Sequence, residues 1–166
     1  GTQDGEIIRL GQDGKIETFV ATGGRPLGMQ FDRHDNLIVC DAFKGLISID
    51  PAGQIKTLAT AAGGVPFKFT DALDISRDGT IYFTDASDTY QQSEYLYDLL
   101  ESKPHGRFLS FDPASGQVNV LLKGLYFANG VALSQNEDFV LINETYRYRI
   151  IRYWLKGTRA GTHELF

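Results

Sequence analysis

Apolar and polar residues alternate in short segments along the whole chain, and one arrangement of these segments recurs. Each occurrence consists of an apolar strand pattern, a polar turn, a second apolar strand pattern and an acidic residue. The three occurrences are PLGMQFDRHDNLIVCDA (26–42), TDALDISRDGTIYFTDA (70–86) and ANGVALSQNEDFVLINET (128–145). Short apolar segments around turn signals such as Asp78-Gly79 are typical of β-hairpins. The pattern therefore predicts a repeated pair of strands.

A second pair of strands follows each occurrence. The matching segments are GLISIDPAGQIKTLA (45–59), GRFLSFDPASGQVNVLL (106–122) and RIIRYWLKGTRAGTHELF (149–166). Four antiparallel strands per repeat, with offsets of 44 and 58 residues between the equivalent Gly28, Ala72 and Gly130, describe the blades of a β-propeller. The sequence thus predicts an all-β fold with successive blades at 26–59, 70–122 and 128–166.

The opening segment GEIIRLGQDGKIETFVA (5–21) matches only the second half of a repeat. We interpret it as the two outer strands of a further blade, which gives about three and a half blades in one partial propeller domain over 1–166. Propellers close into rings of about four to eight blades, because closure removes exposed sheet edges. We therefore expect the chain to be part of a larger propeller; the alternative is a natural half that self-associates through its open edges.

One predicted blade carries an insertion, SDTYQQSEYLYDLLESKP (87–104), between its second and third strands. Ser93 is a candidate helix cap, and Pro104 lies beyond the predicted helix end. The residues that share one helical face are Leu96, Leu99 and Leu100. We expect a short amphipathic helix or loop that covers the central channel as a lid, with packing on the rim of the fold as the alternative.

The composition excludes several classes of function. Hydrophobic residues make up 42% and charged residues 22% of the chain, as in a globular domain with an ordinary core. The net charge is −5, from 16 basic and 21 acidic residues, and no Lys/Arg cluster stands out, so a nucleic-acid partner is not expected. No apolar stretch approaches the roughly 18 residues of a membrane span. Cys40 is the only cysteine, so no internal disulfide forms.

Polar residues at the strand ends are the candidates for chemistry. Leu27, Asp71 and Asn129 occupy the same place, at the entrance of the innermost strand of each blade, and these strands line the axial channel of a propeller. The place after the second strand holds Asp41, Asp85 and Glu144. Carboxylate and amide oxygens around one end of a channel are the ligands that a hard cation such as calcium takes.

A structural role competes with the ligand role at each of these positions. An acid that ends a strand in every blade is typical of a residue that bonds turn amides, and we assign Asp41 and Glu144 to that role. Asp85 is open between the two roles, because it directly precedes the insertion. Asp71 and Asn129 are the stronger metal candidates, since a leucine fills the same place in the first blade.

Several segments resemble the strictosidine synthase-like family. They are GRPLGMQFD, DAFKGLISID, IYFTDAS, GRFLSFDPASGQVNVLLKGLYFANGVALS and YRIIRYWLKGTRAGTHELF, and they follow one another in family order over essentially the whole chain. FANG and IYFTD also resemble, more distantly, the paraoxonases and the gluconolactonase/regucalcin group. The resemblance implies a six-bladed propeller with calcium or another divalent cation in its channel.

Matched residue by residue, the resemblance also implies a set of metal ligands. Asn129 falls on the metal-binding Asn of the FANG motif, and Asp85 falls where paraoxonases have a metal-binding Asn. Asp71 falls on a polar position next to the same ion. The remaining ligands of these families, a Glu before the first strand and an Asp in a later blade, lie outside this chain.

Three hypotheses for the function remain open. Most relatives of this kind resemble hydrolases of esters or lactones, so the first is a divalent-metal-dependent hydrolase of a small molecule, inactive as this chain alone. The second is a non-enzymatic propeller that binds a small molecule or a protein at its channel mouth. The third is a Pictet–Spengler condensing enzyme of the strictosidine synthase type, whose catalytic Glu would lie beyond Phe166.

Overall fold

The chain folds into a series of antiparallel sheets, which the computed structural model describes for all residues 1–166. A two-stranded hairpin comes first and is formed by β1 (Glu6–Leu10) and β2 (Ile16–Ala21). The first four-stranded sheet contains β3 (Pro26–Phe31), β4 (Leu37–Asp41), β5 (Gly45–Ile49) and β6 (Ile55–Ala59). A short hairpin of β7 (Ala61–Ala62) and β8 (Val65–Pro66) follows.

Two more four-stranded sheets complete the chain. The second sheet contains β9 (Thr70–Ile75), β10 (Ile81–Asp85), β11 (Gly106–Asp112) and β12 (Gln117–Leu125). The third contains β13 (Ala128–Leu133), β14 (Phe139–Glu144), β15 (Arg149–Trp154) and β16 (His163–Leu165). Within every sheet the strands pair in chain order, which is the order of strands in a propeller blade.

Helical structure is confined to short segments. The single α-helix, α1 (Tyr95–Glu101), lies between β10 and β11. Three 3-10 turns cover Gln92–Glu94, Thr145–Arg147 and Gly157–Arg159. No helix has the length and apolar character that crossing a membrane requires.

The middle strands are buried on both faces, because each sheet packs against its neighbours. In β4, Leu37 and Val39 belong to the cluster beside the opening hairpin, whereas Ile38 and Cys40 belong to the cluster between the first and second sheets. Successive side chains of a strand point to opposite faces, so two-sided burial explains why LIVCD is apolar almost throughout. The cluster between the second and third sheets consists of Phe108, Leu125, Ala128, Val140, Ile142, Ile151 and Tyr153.

The inner edges of the three sheets converge. Strand β9 lies between β3 and β13 and contacts both. The approach of β3 to β9 is close at Gly28, where an added Cβ would lie 2.7 Å from the carbonyl oxygen of Asp71 and 2.7 Å from Cα of Ala72. Successive sheets that meet along their inner strands are the arrangement expected of successive propeller blades.

Substitution of Gly28 by alanine should therefore destabilise the chain. The new methyl group meets backbone atoms that cannot move independently, and overpacking of this kind costs about 1–3 kcal/mol. The measurement is the free energy of unfolding of the 166-residue chain in urea.

Gly130→Ala is the matched control, because Gly130 occupies the equivalent place in the third sheet. There the added Cβ would meet only the side chain of Asn143, with its amide nitrogen at 3.0 Å, and Asn143 is exposed. We expect Gly130→Ala to lose clearly less stability than Gly28→Ala. Equal losses would contradict the close approach of β3 and β9.

Candidate metal site

The inner strand of each four-stranded sheet carries a β-bulge at the same place. The pairs that flank the bulges are Pro26–Asp41 and Met29–Val39, Thr70–Asp85 and Leu73–Phe83, and Ala128–Glu144 and Val131–Ile142. Each inner strand thus has one residue more than its partner at this point. The residues within the bulges include Leu27, Asp71 and Asn129, so these three are structurally equivalent. Bulges redirect side chains and are frequent next to active sites.

The acids that end the second strands hold the backbone at the entrance of the inner strands. Each of the three is buried, and each accepts a hydrogen bond from a backbone amide that precedes the bulge. The pairs are Asp41 with Arg25 (2.8 Å), Asp85 with Phe69 (2.9 Å) and Glu144 with Tyr126 (2.7 Å). This is the structural role that the sequence predicts for Asp41 and Glu144.

All oxygen lone pairs of Asp85 are engaged within the chain. Its Oδ1 accepts from the amides of Lys68 (3.3 Å) and Phe69 (2.9 Å). Its Oδ2 accepts from Nε of Arg107 at 3.1 Å and from the Nη2 of the same guanidinium. Burial raises the pKa of Asp85, and Arg107 opposes that rise. Metal binding by Asp85 stays a prediction, and it requires Arg107 to release an oxygen.

Asp71 and Asn129 keep their side-chain oxygens free. The hydrogen bond formed at Asn129 uses its backbone carbonyl, and the side-chain amide has no partner within the chain. The Asp71 carboxylate accepts no hydrogen bond either; the favourable influence on its charge comes from Arg25. Both side chains are half-buried. The equivalent Leu27 instead packs against an apolar cluster formed by Ala42, Phe69, Ala86 and Phe127.

One buried hydroxyl brings the bulges of Asp71 and Asn129 together. Oγ1 of Thr84 accepts from the backbone N–H of Ala72, the residue after Asp71, at 3.2 Å. The same hydroxyl donates to the carbonyl oxygen of Asn129 at 2.7 Å. The two predicted ligands are therefore carried by adjacent strands, at the same level and at the same end of the sheets.

The donor set at these two positions fits a hard cation in its chemistry. Asp71 and Asn129 offer carboxylate and amide oxygens, which calcium prefers, and neither has a competing partner. No group of three or more His, Cys, Asp or Glu side chains converges to hold a metal ion. A metal site at Asp71 and Asn129 stays a prediction, and it needs further ligands beyond these two.

The insertion folds into a 3-10 turn and helix α1, with its apolar side turned to solvent. The prediction that Ser93 caps the helix is wrong: Glu94 occupies the N-cap position, and its side chain accepts from the amide of Gln91 at 3.1 Å. Asp98 is buried. The exposed leucines are Leu96, Leu99 and Leu100, at 54%, 44% and 80%.

The insertion lies at the same end of the sheets as the bulges. It leaves the second sheet directly after Asp85 and contacts the loop after β14, where the Tyr146 hydroxyl donates to the Tyr95 carbonyl at 3.1 Å. Tyr146 in turn stacks on Phe127, with ring centroids 4.5 Å apart. This position agrees with a covering role for the insertion, which stays a prediction.

A surface cavity of about 910 Å³ lies at the opposite end of the first and second sheets. Its walls include the turns at Asp32 and Asp78, which lie beyond the far ends of the inner strands. None of the three predicted metal ligands lines it. Because the bulges and the free oxygen donors are elsewhere, this cavity is separate from the candidate metal site.

Sequence reasoning missed two residues that shape the site. Arg107 pairs directly across from Asp85 in β10 and β11, and Arg149 pairs likewise across from Glu144. In both sheets an arginine near the start of the third strand lies opposite the acid that ends the second strand. A comparison of the repeats by strand register would identify this pattern. For Thr84 the sequence carries no such signal, since its equivalent in the first repeat is Cys40.

Comparison with known proteins gives a family. The family model described as strictosidine synthase matches residues 71–158. Protein STRICTOSIDINE SYNTHASE-LIKE 4 of Arabidopsis thaliana is 44% identical over 166 residues, which cover 96% of this chain and 45% of that protein. Adipocyte plasma membrane-associated protein of Gallus gallus is 37% identical over 184 residues, covering 100% of this chain and 44% of that protein. The chain spans about half the length of the curated relatives it matches.

Solved structures share the fold. A gluconolactonase from Xanthomonas campestris matches with a TM-score of 0.79 at 18% identity, over 98% of this chain and 55% of that chain. The calcium-binding protein regucalcin from Agrobacterium tumefaciens matches with a TM-score of 0.73 at 15% identity, over 98% and 52%. The all-β propeller prediction is confirmed: the four-stranded antiparallel sheets match half of six-bladed propeller structures.

Replacement of Arg107 by methionine should destabilise the chain, because it leaves the buried Asp85 carboxylate without its cation. Removing one partner of a buried ion pair costs about 3–5 kcal/mol of unfolding free energy, which urea denaturation measures. Arg149→Met is the matched control, because Arg149 pairs with the equivalent Glu144 but its side chain is 42% exposed. Water can take the place of this partly exposed guanidinium, so we expect Arg149→Met to lose less unfolding free energy than Arg107→Met. Equal losses would argue against a structural Asp85–Arg107 pair.

Asp71 should make the metal-free chain less stable as the pH rises. Burial raises the pKa of Asp71 from 3.8 to about 7, against the charge of Arg25. Between these values the folded chain holds a proton that the unfolded chain has released, so the free energy of unfolding falls with increasing pH.

The Asp71→Asn variant removes the titrating group and should flatten this part of the pH profile. The measurement is urea denaturation of both proteins in the presence of chelator at a series of pH values. Parallel profiles for the two proteins would show that Asp71 titrates as an ordinary exposed carboxylate.

Proposed function

The chain belongs to the strictosidine synthase-like family, and from this premise we propose that the polypeptide containing it is a divalent-metal-dependent hydrolase of an ester or a lactone. The observation that carries the proposal is the pair of free oxygen donors at Asp71 and Asn129. Both lie in inner-strand bulges, while Leu27 shows that the fold itself requires no polar side chain there.

The reaction class and the metal come from proteins with the same fold. The structural neighbours include a gluconolactonase and the calcium-binding protein regucalcin. A hard cation suits a site whose amide and carboxylate oxygens have no partner within the chain. A cation bound in such a site polarises the carbonyl and stabilises the oxyanion that forms on it.

Asn129 and Asp71 are the residues we assign to calcium or another divalent cation. Calcium takes six to eight oxygen ligands, so these two form part of the shell and the others come from outside residues 1–166 and from water. Asp85 becomes a third ligand only if Arg107 releases it. We therefore expect the 166 residues alone to show no turnover.

A non-enzymatic binding function is the second candidate, and the insertion favours it. Three leucines of α1 are exposed beside the end of the sheets that carries the bulges, and exposed apolar groups mark binding surfaces when they are contiguous. This function predicts binding of an apolar small molecule or a protein without turnover. Hydrolysis of an aryl ester or lactone that disappears with chelator would reject it.

Substitution of Asn129 tests the metal assignment. In the full natural polypeptide that contains this chain, Asn129→Ala should raise the calcium Kd roughly 10-fold or more, in the range found when metal-site groups are removed. Isothermal titration calorimetry measures the affinity, and hydrolysis of aryl esters and lactones is followed in parallel.

The matched control is Asn119→Ala. Asn119 is an exposed asparagine on the outermost strand of the second sheet, and its side chain is hydrogen-bonded only to Gln117, so its loss should leave calcium affinity and turnover unchanged. Unaltered affinity in Asn129→Ala would remove Asn129 from the metal site and with it the main support for the proposal.

A further inference from the structure

Thr84 is completely buried between two inner-strand bulges, and we propose that it is a positioning residue for the metal site. Its hydroxyl fixes the Asn129 segment relative to the Asp71 segment, so that the two side chains face a common cation. The inference rests on the proposed function, because it concerns the same site. It adds a residue that touches neither the metal nor the substrate.

The bulge in β9 explains why a hydroxyl stands at this position. Phe83 pairs with Leu73 and Asp85 pairs with Thr70, so Thr84 faces the extra residue of the bulge. A bulge leaves a backbone group without its strand partner, and a buried N–H must be satisfied in another way. The Thr84 hydroxyl accepts from this group, the N–H of Ala72, at 3.2 Å.

The proton of the same hydroxyl is directed to the third sheet. Two carbonyl oxygens are within reach, that of Asn129 at 2.7 Å and that of Ala72 at 3.4 Å, and the shorter contact is the one to Asn129. One side chain therefore bonds to both bulges. A hydroxyl that donates and accepts at once forms a short chain of mutually polarising hydrogen bonds. The β-branched side chain is also stiff about χ1. The distance between the two bulges is therefore set by a rigid link.

The equivalent position in the first sheet has a weaker link. There Cys40 lies with its Sγ 3.5 Å from the carbonyl oxygen of Ala72, and a thiol is a weak donor. The first bulge holds Leu27, which is not a candidate metal ligand, so no side chain has to be positioned there. The first junction has a hydroxyl link of another kind, in which Thr70 of the second sheet donates to the carbonyl oxygen of Asp41 at 2.7 Å. A hydroxyl that faces the bulge and bonds to both inner strands is found at the junction whose two bulges carry the predicted oxygen ligands.

The Thr84→Val variant removes the hydroxyl and keeps the shape of the side chain. In the full natural polypeptide, we expect the calcium Kd to rise roughly 10–100-fold, as when groups that orient metal ligands are removed. Thr84→Ser keeps the hydroxyl and should retain most of the affinity. Terbium bound in the Thr84→Val protein should hold more water molecules, as measured by luminescence lifetimes in H₂O and D₂O.

Ser134→Ala is the matched control for the loss of a structural hydroxyl. Oγ of Ser134 accepts from the amides of Asp138 (3.0 Å) and Phe139 (3.2 Å) at the opposite end of the third sheet. We expect this variant to lower the thermal midpoint without changing the calcium Kd or the hydration of terbium. A purely structural role of Thr84 would give the same result in Thr84→Val.

The outcomes separate this inference from the proposed function. Unchanged calcium affinity in Thr84→Val, with reduced affinity in Asn129→Ala, overturns the inference and leaves the function standing. Unchanged affinity in Asn129→Ala removes the metal assignment itself. If Thr84→Val does not fold, Thr84→Cys reproduces the residue of the first sheet and is compared with Thr84→Ser. Weaker calcium binding by the cysteine variant supports the inference, and equal binding overturns it.

Discussion

A backbone amide at the entrance of each inner strand needs an acceptor, and the structure depends on how that need is met. The amide belongs to a buried residue at Phe69 and to half-buried residues at Arg25 and Tyr126. In all three sheets the acid that ends the second strand accepts the hydrogen bond. A buried donor without a partner costs about 1–3 kcal/mol, so the acid recurs. Because a neighbouring strand supplies the acceptor, the bulge itself requires no polar side chain. Its residue is free to be leucine, aspartate or asparagine without loss of the fold.

The same acid is stabilised differently in each sheet. Asp41 accepts from three backbone amides and from the Thr22 hydroxyl, and no cation is needed. Asp85 is paired with the buried Arg107, and Glu144 with the half-exposed Arg149. Which partner each acid has depends on the residues that the third strand and the preceding loop place next to it. An acid at this position is thus first a structural element, and repetition of the acid along the sequence carries no information about metal binding.

The repeat could be predicted because it depends on local patterns: strand periodicity, turn residues and the order of segments. The equivalence of Leu27, Asp71 and Asn129 followed from the same alignment. The partner of Asp85 could not be predicted in this way, since Arg107 is brought opposite by the register of β10 and β11. Helical periodicity likewise predicts which leucines of α1 share a face, but it does not predict the direction of that face. The leucines point to solvent, and Asp98 is the buried residue of the helix. The capping prediction for Ser93 is wrong because Ser93 lies within a 3-10 turn that precedes the helix.

The contrast between polar groups with and without hydrogen-bond partners indicates where the functional site lies. At this end of the sheets, Asp41, Asp85, Glu144 and Thr84 have their hydrogen-bonding capacity used within the chain. The side chains of Asp71 and Asn129, which lie among them, have no hydrogen-bond partner within the chain, and the hydrogen bond at Asn129 uses its backbone carbonyl. A half-buried carboxylate without a donor is unfavourable, and burial shifts its pKa toward neutrality. Such local conflicts are expected at functional sites, where a ligand supplies the missing interaction. Each acid that ends a second strand is satisfied within the chain, whereas the side chains of this pair are left without a partner. The cation that we propose would supply the missing interaction to both residues at once.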